Sequence, residues 1–316
     1  MFVFKLKLKN DSSTVAYSFI FLNIREIDPT KAHEMLRLQV FTIMMQIITY
    51  NLSILNCRAD MLPKISIIVP TLNQARFIEE TIQSVLSQNY PNLELIVIDG
   101  GSTDGTLDIL EKYSNALTWI SEPDNGQVDA INKGLRRVTG DVVAYLNSDD
   151  VYTPNTLHMV GKYISDYPET QILTGKCSNI DENGVEIRSL IKLYKNLWLK
   201  LRIDKSLTVL DYISQPATFW RVGLTHTIGY FNPEYHYAMD YDYWLRITRH
   251  HKLIFVDQYL AKFRVYPTSI TSSNSRAQFD EEFKVATRYA TPWQLLLHKI
   301  HAEISCWIYI NIVNRK

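Results

Sequence analysis

The sequence predicts an α/β fold with a mostly parallel, doubly wound central sheet flanked by helices. Three observations carry that expectation. Apolar runs of strand length alternate with helix-period segments from Lys64 onward, joined by short links. Two of these strands end in acids, Asp99 and the pair Asp149-Asp150, at the edge where open α/β sheets place their ligands. A chain of 316 residues, 46% of them hydrophobic, is long enough to bury a sizeable core.

The β-branched run Ile65–Val69 is stopped by Pro70 and predicts a buried first strand. Ile78, Ile82, Val85 and Leu86 then recur at the spacing of one helix face. Leu93–Ile98 is a second strand, followed by the tight loop Asp99-Gly100-Gly101-Ser102-Thr103-Asp104-Gly105. Thr106 caps a short helix through Tyr113, and Leu117–Ile120 is a third strand. Val128, Ile131, Leu135 and Val138 share a helix face that ends at Gly140. Val142–Leu146 is a further strand that runs into Asn147-Ser148-Asp149-Asp150, and Pro154 begins the next helix. Beyond it the pattern loosens. Short apolar runs around Asp181–Gly184 suggest a hairpin. Gln215–Arg221 reads as a strand or edge segment, Asp240–Arg246 opens a helix, and Leu253–Val256 is another strand.

The ends differ from this middle. Lys5, Lys7 and Lys9 alternate with apolar residues, as in a short strand or an unordered segment. Val40–Leu55 carries no charge but is about 16 residues long, short of the roughly 20 needed to span a bilayer. Residues 1–60 therefore read as an extension outside the main fold, either weakly membrane-associating or without a structural role. The expected domain covers 61–270, in two halves at 61–155 and 156–270. Residues 271–316 form an amphipathic helical tail suited to a membrane surface or to docking on the domain.

Lys+Arg and Asp+Glu are balanced at 33 each, which leaves no basic field for nucleic acid. Cys57, Cys177 and Cys306 are far apart and read as free thiols in a reducing compartment. The eight histidines lack zinc spacing and read as structural or surface groups.

Two adjacent carboxylates at a sheet edge repel unless something neutralises them. A divalent cation does so with hard oxygen ligands of this kind, in keeping with Mg²⁺ or Mn²⁺. The other reading is an Asp-Asp turn capping the next helix. The loop at Asp99 lets the backbone approach a ligand closely. It is neither the dinucleotide fingerprint nor a Lys-containing phosphate loop, and an ordinary Asp/Gly turn remains the alternative.

Pro70-Thr71-Leu72-Asn73, Ser84–Gln88, Asp99–Thr106, Asp124–Gln127, Ala130–Gly134 and Leu146–Asp150 occur in the order and spacing of the family 2 glycosyltransferases, which this chain resembles from about residue 63 to 270. The resemblance implies the GT-A (nucleotide-diphosphosugar transferase) fold and inverting transfer from a nucleotide-diphosphosugar. It places Pro70, Thr71, Asn73, Asp99, Gly101, Gln127, Asn132, Ser148 and Asp149 at the donor, with Asp99 toward the base. Asp149 matches the last acid of the family's Asp-x-Asp element, which holds a divalent metal (Mn or Mg) at the diphosphate. Asp150 is its weaker neighbour, and Asn147 stands where the element's first acid would be. Asp240 matches the general base, with Met239 in the place of the usual Glu, and Asp242 is the alternative. Gln215, Trp220 and Arg221 resemble the acceptor side, where Trp220 is either a sugar floor or a core residue. Arg264 is a contact to diphosphate or one half of an ion pair. Tyr266 stands where many relatives carry a histidine.

The implied reaction moves a sugar, UDP-linked by expectation, to a hydroxyl of a glycan or lipid-linked acceptor. The setting would be surface polysaccharide or glycoconjugate synthesis, in the cytoplasm or peripherally on the cytoplasmic face of a membrane. Against it stand a catalytically inactive binding or scaffold protein on the same fold, which would have damaged acids, and another nucleotide-using α/β enzyme.

Overall fold

A computed structural model describes residues 2–10, 13–21, 44–45, 62–187, 189–201, 206–269 and 275–308. The chain divides into two compact units, residues 1–60 and 61–316. In the first, β1 (Phe2–Asn10) and β2 (Ser13–Phe21) pair as an antiparallel hairpin with Asn10 opposite Ser13. The alternating lysines thus belong to a strand. The apolar run Val40–Leu55 lies outside the described residues apart from Met44 and Met45.

The second unit is built on one sheet. Its first strand, β3 (Ile65–Thr71), is buried along its whole length, as a run of β-branched residues in a sheet covered on both faces should be. Ile65, Ile67 and Val69 point into one core, against Ile78 and Ile82 of α1 (Ile78–Leu86), and Ile68 points into the other, against Ile131 of α3 (Gln127–Leu135). Gly134 allows that second packing, because a Cβ there would lie 2.5 Å from Ile68 Cγ2. Parallel to β3 run β4 (Leu93–Asp99) on one side and β6 (Val142–Tyr145) on the other. β5 (Thr118–Ser121) lies parallel outside β4, and α2 (Thr106–Lys112) links the two. The chain thus leaves β3 to opposite sides, the switch point at which open sheets bind ligands.

The other half of the sheet adds short antiparallel pairings to a sheet whose longest registers are parallel, as expected. β7 (Val151–Tyr152) and α4 (Thr156–Asp166) follow β6, then β8 (Ile172–Ile180) turns through Asp181–Gly184 into β9 (Glu186–Ile187) as the expected hairpin. After α5 (Ser189–Leu201), β10 (Thr218–Arg221) inserts antiparallel between β6 and β8. It is a central strand, not an edge. α6 (Gly223–Ile228) and α7 (Met239–Thr248) lead to β11 (Leu253–Arg264), parallel to β8 and antiparallel to β7. Helices α8 (Ser275–Ala286) and α9 (Pro292–Ile308) close the described chain. They pack on each other, α8 against α7 and α9 against the short turn Ser206–Thr208, so residues 275–308 are built into this unit.

Candidate active site

The parallel register aligns the sheet's carboxyl edge. Thr71 stands opposite Asp99, and Asp99 opposite Ser121. Thr71 Oγ1 is buried with no hydrogen-bond partner, an open polar group of the kind that a ligand satisfies. Asp99 differs. It is fully buried, and its oxygens accept from the Gly101 and Ser102 N–H groups, the Ser102 hydroxyl and the Ser121 hydroxyl. Three of these bonds fall on Oδ2 and one on Oδ1, so Asp99 shapes the loop while its Oδ1 keeps an acceptor site. The carboxylate that faces this edge is Asp124, whose Oδ2 would lie 2.7 Å from a Cβ at Gly100 and whose Oδ1 accepts the Gly126 N–H at 2.9 Å.

Asn73 joins two loops. At φ 52° its backbone is left-handed, its N–H donates to Ser102 Oγ at 2.7 Å, and its Oδ1 accepts the Thr103 N–H at 2.8 Å. Pro70 is buried near the end of β3, Ser148 is buried in the loop after β6, and Gly101 has φ 92°. Gln127, at the start of α3, donates to Asn147 Oδ1 at 2.6 Å. Asn132 is not at the donor. Its amide exchanges two bonds with the backbone of Phe231, at 2.9 and 3.0 Å, and is buried there as a fastener between α3 and the following loop.

After β6 the two acids part company. Asp150 is fully buried; its Oδ1 accepts the Arg264 N–H at 2.8 Å and its Oδ2 the Asn147 amide at 3.3 Å. Burial, then the Asp149 charge, pushes its carboxyl well above the usual range. It caps no helix, since Asn155 precedes α4, and it is unfit as a metal ligand. Asp149 keeps a partly open face and accepts one side-chain bond, from the Tyr266 hydroxyl at 3.0 Å. Burial raises its carboxyl too, against the Tyr266 bond and the Arg264 charge. Arg264, expected at the diphosphate, is fully buried and spent on protein: it donates to the carbonyls of Asp149, Asp181 and Glu182 and pairs with Glu80 at 2.6 Å. It braces the Asp149 loop from behind.

The second pair opens α7. Asp242 is buried, bridged to Arg246 at 2.9 Å and accepting the Tyr289 hydroxyl at 2.9 Å. Those bonds fasten α7 to Tyr230, whose carbonyl accepts from Arg246, and to the chain after α8. Asp242 is thereby removed as the alternative base. Asp240 accepts only the N–H of its own neighbour Tyr241 among the hydrogen bonds found. Burial raises its carboxyl, partly countered by that N–H and by the Lys195 charge. Two further buried acids stand around it: Asp211 is pushed well up by burial and by the Asp240 and Glu282 charges, and Glu282 is raised by burial to about 7. The turn before α7 is clamped by Glu281, whose carboxylate accepts the N–H groups of His236, Tyr237 and Ala238 at 3.0, 2.5 and 2.7 Å.

The expected acceptor-side residues are structural. Trp220 is buried among Phe231, Tyr243 and Trp244 and offers no face to a sugar. Arg221 donates to the carbonyls of Thr170 and Pro168. Gln215 caps the end of β6 through the Tyr145 carbonyl at 2.6 Å. Trp220 and Arg221 belong to β10, inside the sheet, and Gln215 to the turn that leads into it. Asp211, Glu281 and Glu282 had no motif to mark them, whereas Tyr266 was visible as a substitution for histidine.

Comparison with known proteins agrees with this architecture. The model of glycosyl transferase family 2 matches residues 66–226, half of the chain, and the chain belongs to that family. It is 30% identical over 193 residues to a PGL/p-HBAD biosynthesis glycosyltransferase of Mycobacterium tuberculosis, covering 58% of this chain and 69% of that one. It is 28% identical over 249 residues to a glycosyltransferase of Rickettsia felis, covering 76% of this chain but 39% of the relative, so it spans well under half of that protein. Among solved structures it resembles residues 1–349 of TarS from S. aureus in complex with UDP-GlcNAc (TM-score 0.58, 22% identity, 72% of this chain and 66% of that one). It also resembles the mannosyltransferase PcManGT from Pyrobaculum calidifontis in complex with GDP-Man and Mn²⁺ (TM-score 0.60, 23% identity, 78% and 71%). These structural likenesses concern the fold.

Proposed function

We propose that the chain is an inverting glycosyltransferase that moves a sugar from a nucleotide-diphosphate donor, UDP-linked, to a hydroxyl of a glycan or lipid-linked acceptor in surface polysaccharide or glycoconjugate synthesis. The observation that carries this reading is that each acid pair has one member locked in hydrogen bonds and one left open, Asp149 at the sheet edge and Asp240 at the start of α7. Thr71 Oγ1, buried and unpartnered, adds a polar contact for the nucleoside. The UDP-GlcNAc complex of TarS supports a uridine donor.

Asp240 acts as the base. As the acceptor oxygen forms its bond to the anomeric carbon, the bond to the diphosphate oxygen breaks, and the hydroxyl proton passes to Asp240. Its burial-raised proton affinity suits that task. Asp149 fits a divalent cation as a single hard oxygen ligand, since Mg²⁺ is commonly bound by one or two carboxylates plus substrate phosphates. Among the described residues no cluster of three or more His, Cys, Asp or Glu side chains could hold it by protein ligands alone. When bound, Mg²⁺ or Mn²⁺ supplies Lewis-acid stabilisation of the departing diphosphate.

The test is a panel of UDP-, GDP- and dTDP-sugars offered to the purified full chain with Mg²⁺ or Mn²⁺. Binding and slow hydrolysis of one donor class, strongest for a UDP-sugar, is expected. Failure to bind or hydrolyse any donor would overturn the proposal.

A further inference from the structure

Helices α5 and α9 face the wrong way for core elements. α5 buries Asn196 and Leu199 yet exposes Leu193, Tyr194, Leu197 and Leu201, with Leu193 66% exposed. α9 buries His298 and Cys306 while Trp293, Leu297, Ile300, Ile304 and Trp307 face solvent. Those five recur at i, i+4, i+7, i+11 and i+14, one continuous stripe. Its end tryptophans are 67% and 60% exposed. The two helices adjoin, because the Tyr194 ring stacks on His301 with centroids 6.0 Å apart. An apolar surface of this extent on a folded domain marks an interaction site.

We infer that the paired outer faces of α5 and α9 form a docking surface for an anionic lipid bilayer. Charge selects the occupant. Residues 190–205 carry Lys192, Lys195, Lys200, Arg202 and Lys205 against Asp204 alone. Residues 291–316 carry Lys299, Arg315 and Lys316 against Glu303 alone. The chain as a whole is neutral, so a cationic excess lies in and next to these two helices, with Lys200 paired to Asp257 and Lys195 acting on Asp240 and Asp211. Basic residues beside an apolar face bind anionic headgroups. Tryptophans at the ends of a stripe suit the interface between headgroup and acyl chain. No helix among the described residues is long and apolar enough to cross a membrane, so the stripes lie on the surface.

The surface also has an orientation. Lys195, on the inner side of α5 beside buried Asn196 and Leu199, acts electrostatically on both Asp240 and Asp211, so α5 itself lies near the proposed base. A lipid-linked acceptor would then present its hydroxyl beside Asp240. This last step rests on the function proposed above; membrane binding itself does not.

Flotation of the full chain with vesicles of phosphatidylcholine, with or without phosphatidylglycerol, tests the inference. The chain should float with the phosphatidylglycerol vesicles and weakly or not at all without that lipid. Leu193→Glu/Leu197→Glu and Ile300→Glu/Ile304→Glu should each cut binding by about tenfold or more, because each removes two leucine-sized groups from the buried face. Their thermal melts should match the unaltered chain, since these positions are exposed. Absence of flotation with either vesicle, or equal flotation of both variants and the unaltered chain, would overturn the inference. So would a dimer in light scattering that the Glu variants convert to monomer, which would make the face an interface between copies. Flotation without any donor hydrolysis would instead sink the proposed function and leave the docking surface standing.

Discussion

The acid pair at the end of β6 and the pair at the start of α7 solve the same problem in the same way. Asp150 is held by the Arg264 N–H and the Asn147 amide, and Asp242 by Arg246 and Tyr289. Among the described residues Asp149 has the Tyr266 hydroxyl as its side-chain partner, and Asp240 the Tyr241 N–H. In both pairs the acid proposed to do the chemistry is the one with fewer bonds, and its neighbour holds the loop or helix that presents it. The pairs differ in what surrounds the open member. Asp149 is braced by an arginine, whereas Asp240 sits near two more acids, Asp211 and Glu282. One end suits a cation and the other the uptake of a proton.

The largest effect should come from the open acids. Asp240→Asn should lower transfer by about 10²- to 10⁴-fold, the usual contribution of a general base. Donor affinity, read by calorimetry, should be unchanged. Asp149→Ala should instead abolish metal-dependent donor binding, and equal loss of binding in both variants would erase the contrast between the pairs.

Next comes the locked acid of α7. Asp242→Asn leaves the Arg246 guanidinium without its carboxylate and should destabilise the fold by about 3 kcal/mol, read from urea unfolding. An unchanged midpoint together with lost transfer would show that the roles of Asp240 and Asp242 are reversed.

Glu282 provides the pH dependence. Its folded pKa, about 7, lies above the ordinary carboxyl value of 4.5, so the folded state holds the proton more tightly. That contribution to stability is present below about pH 4.5 and is lost as pH rises through 7. Glu282→Gln should therefore stabilise the protein above neutrality by on the order of 3 kcal/mol and leave it unchanged in acid. Identical pH-stability curves for the two proteins would exclude Glu282 as the source. The smallest effect is expected from Tyr266→Phe, which deletes one bond to Asp149 worth about 1 kcal/mol. A several-fold change in donor affinity is expected, and the loss of all donor binding would make Tyr266 a ligand in its own right.

Much of the nucleotide half was legible in sequence, because its strands are local, β-branched runs and its loops carry Gly and Asp at short spacing. The β3–β4 register that sets Thr71 beside Asp99 follows from such runs. What escaped was long-range. Nothing near Asp150 announces that a backbone N–H from residue 264 will occupy it, and nothing near Asp99 shows that the Ser121 hydroxyl will bond it. The β10 strand misled for a related reason. Thr218-Phe219-Trp220-Arg221 has a strand pattern, but only pairing with both β6 and β8 reveals that Trp220 is core.

The Glu281 clamp bears on how the protein is made. The turn that aims Asp240, the proposed base, is gathered by the Glu281 carboxylate some forty residues later in the chain. A nascent polypeptide that has reached α7 therefore holds that acid but not its support, which arrives only once α8 has been synthesised and folded back.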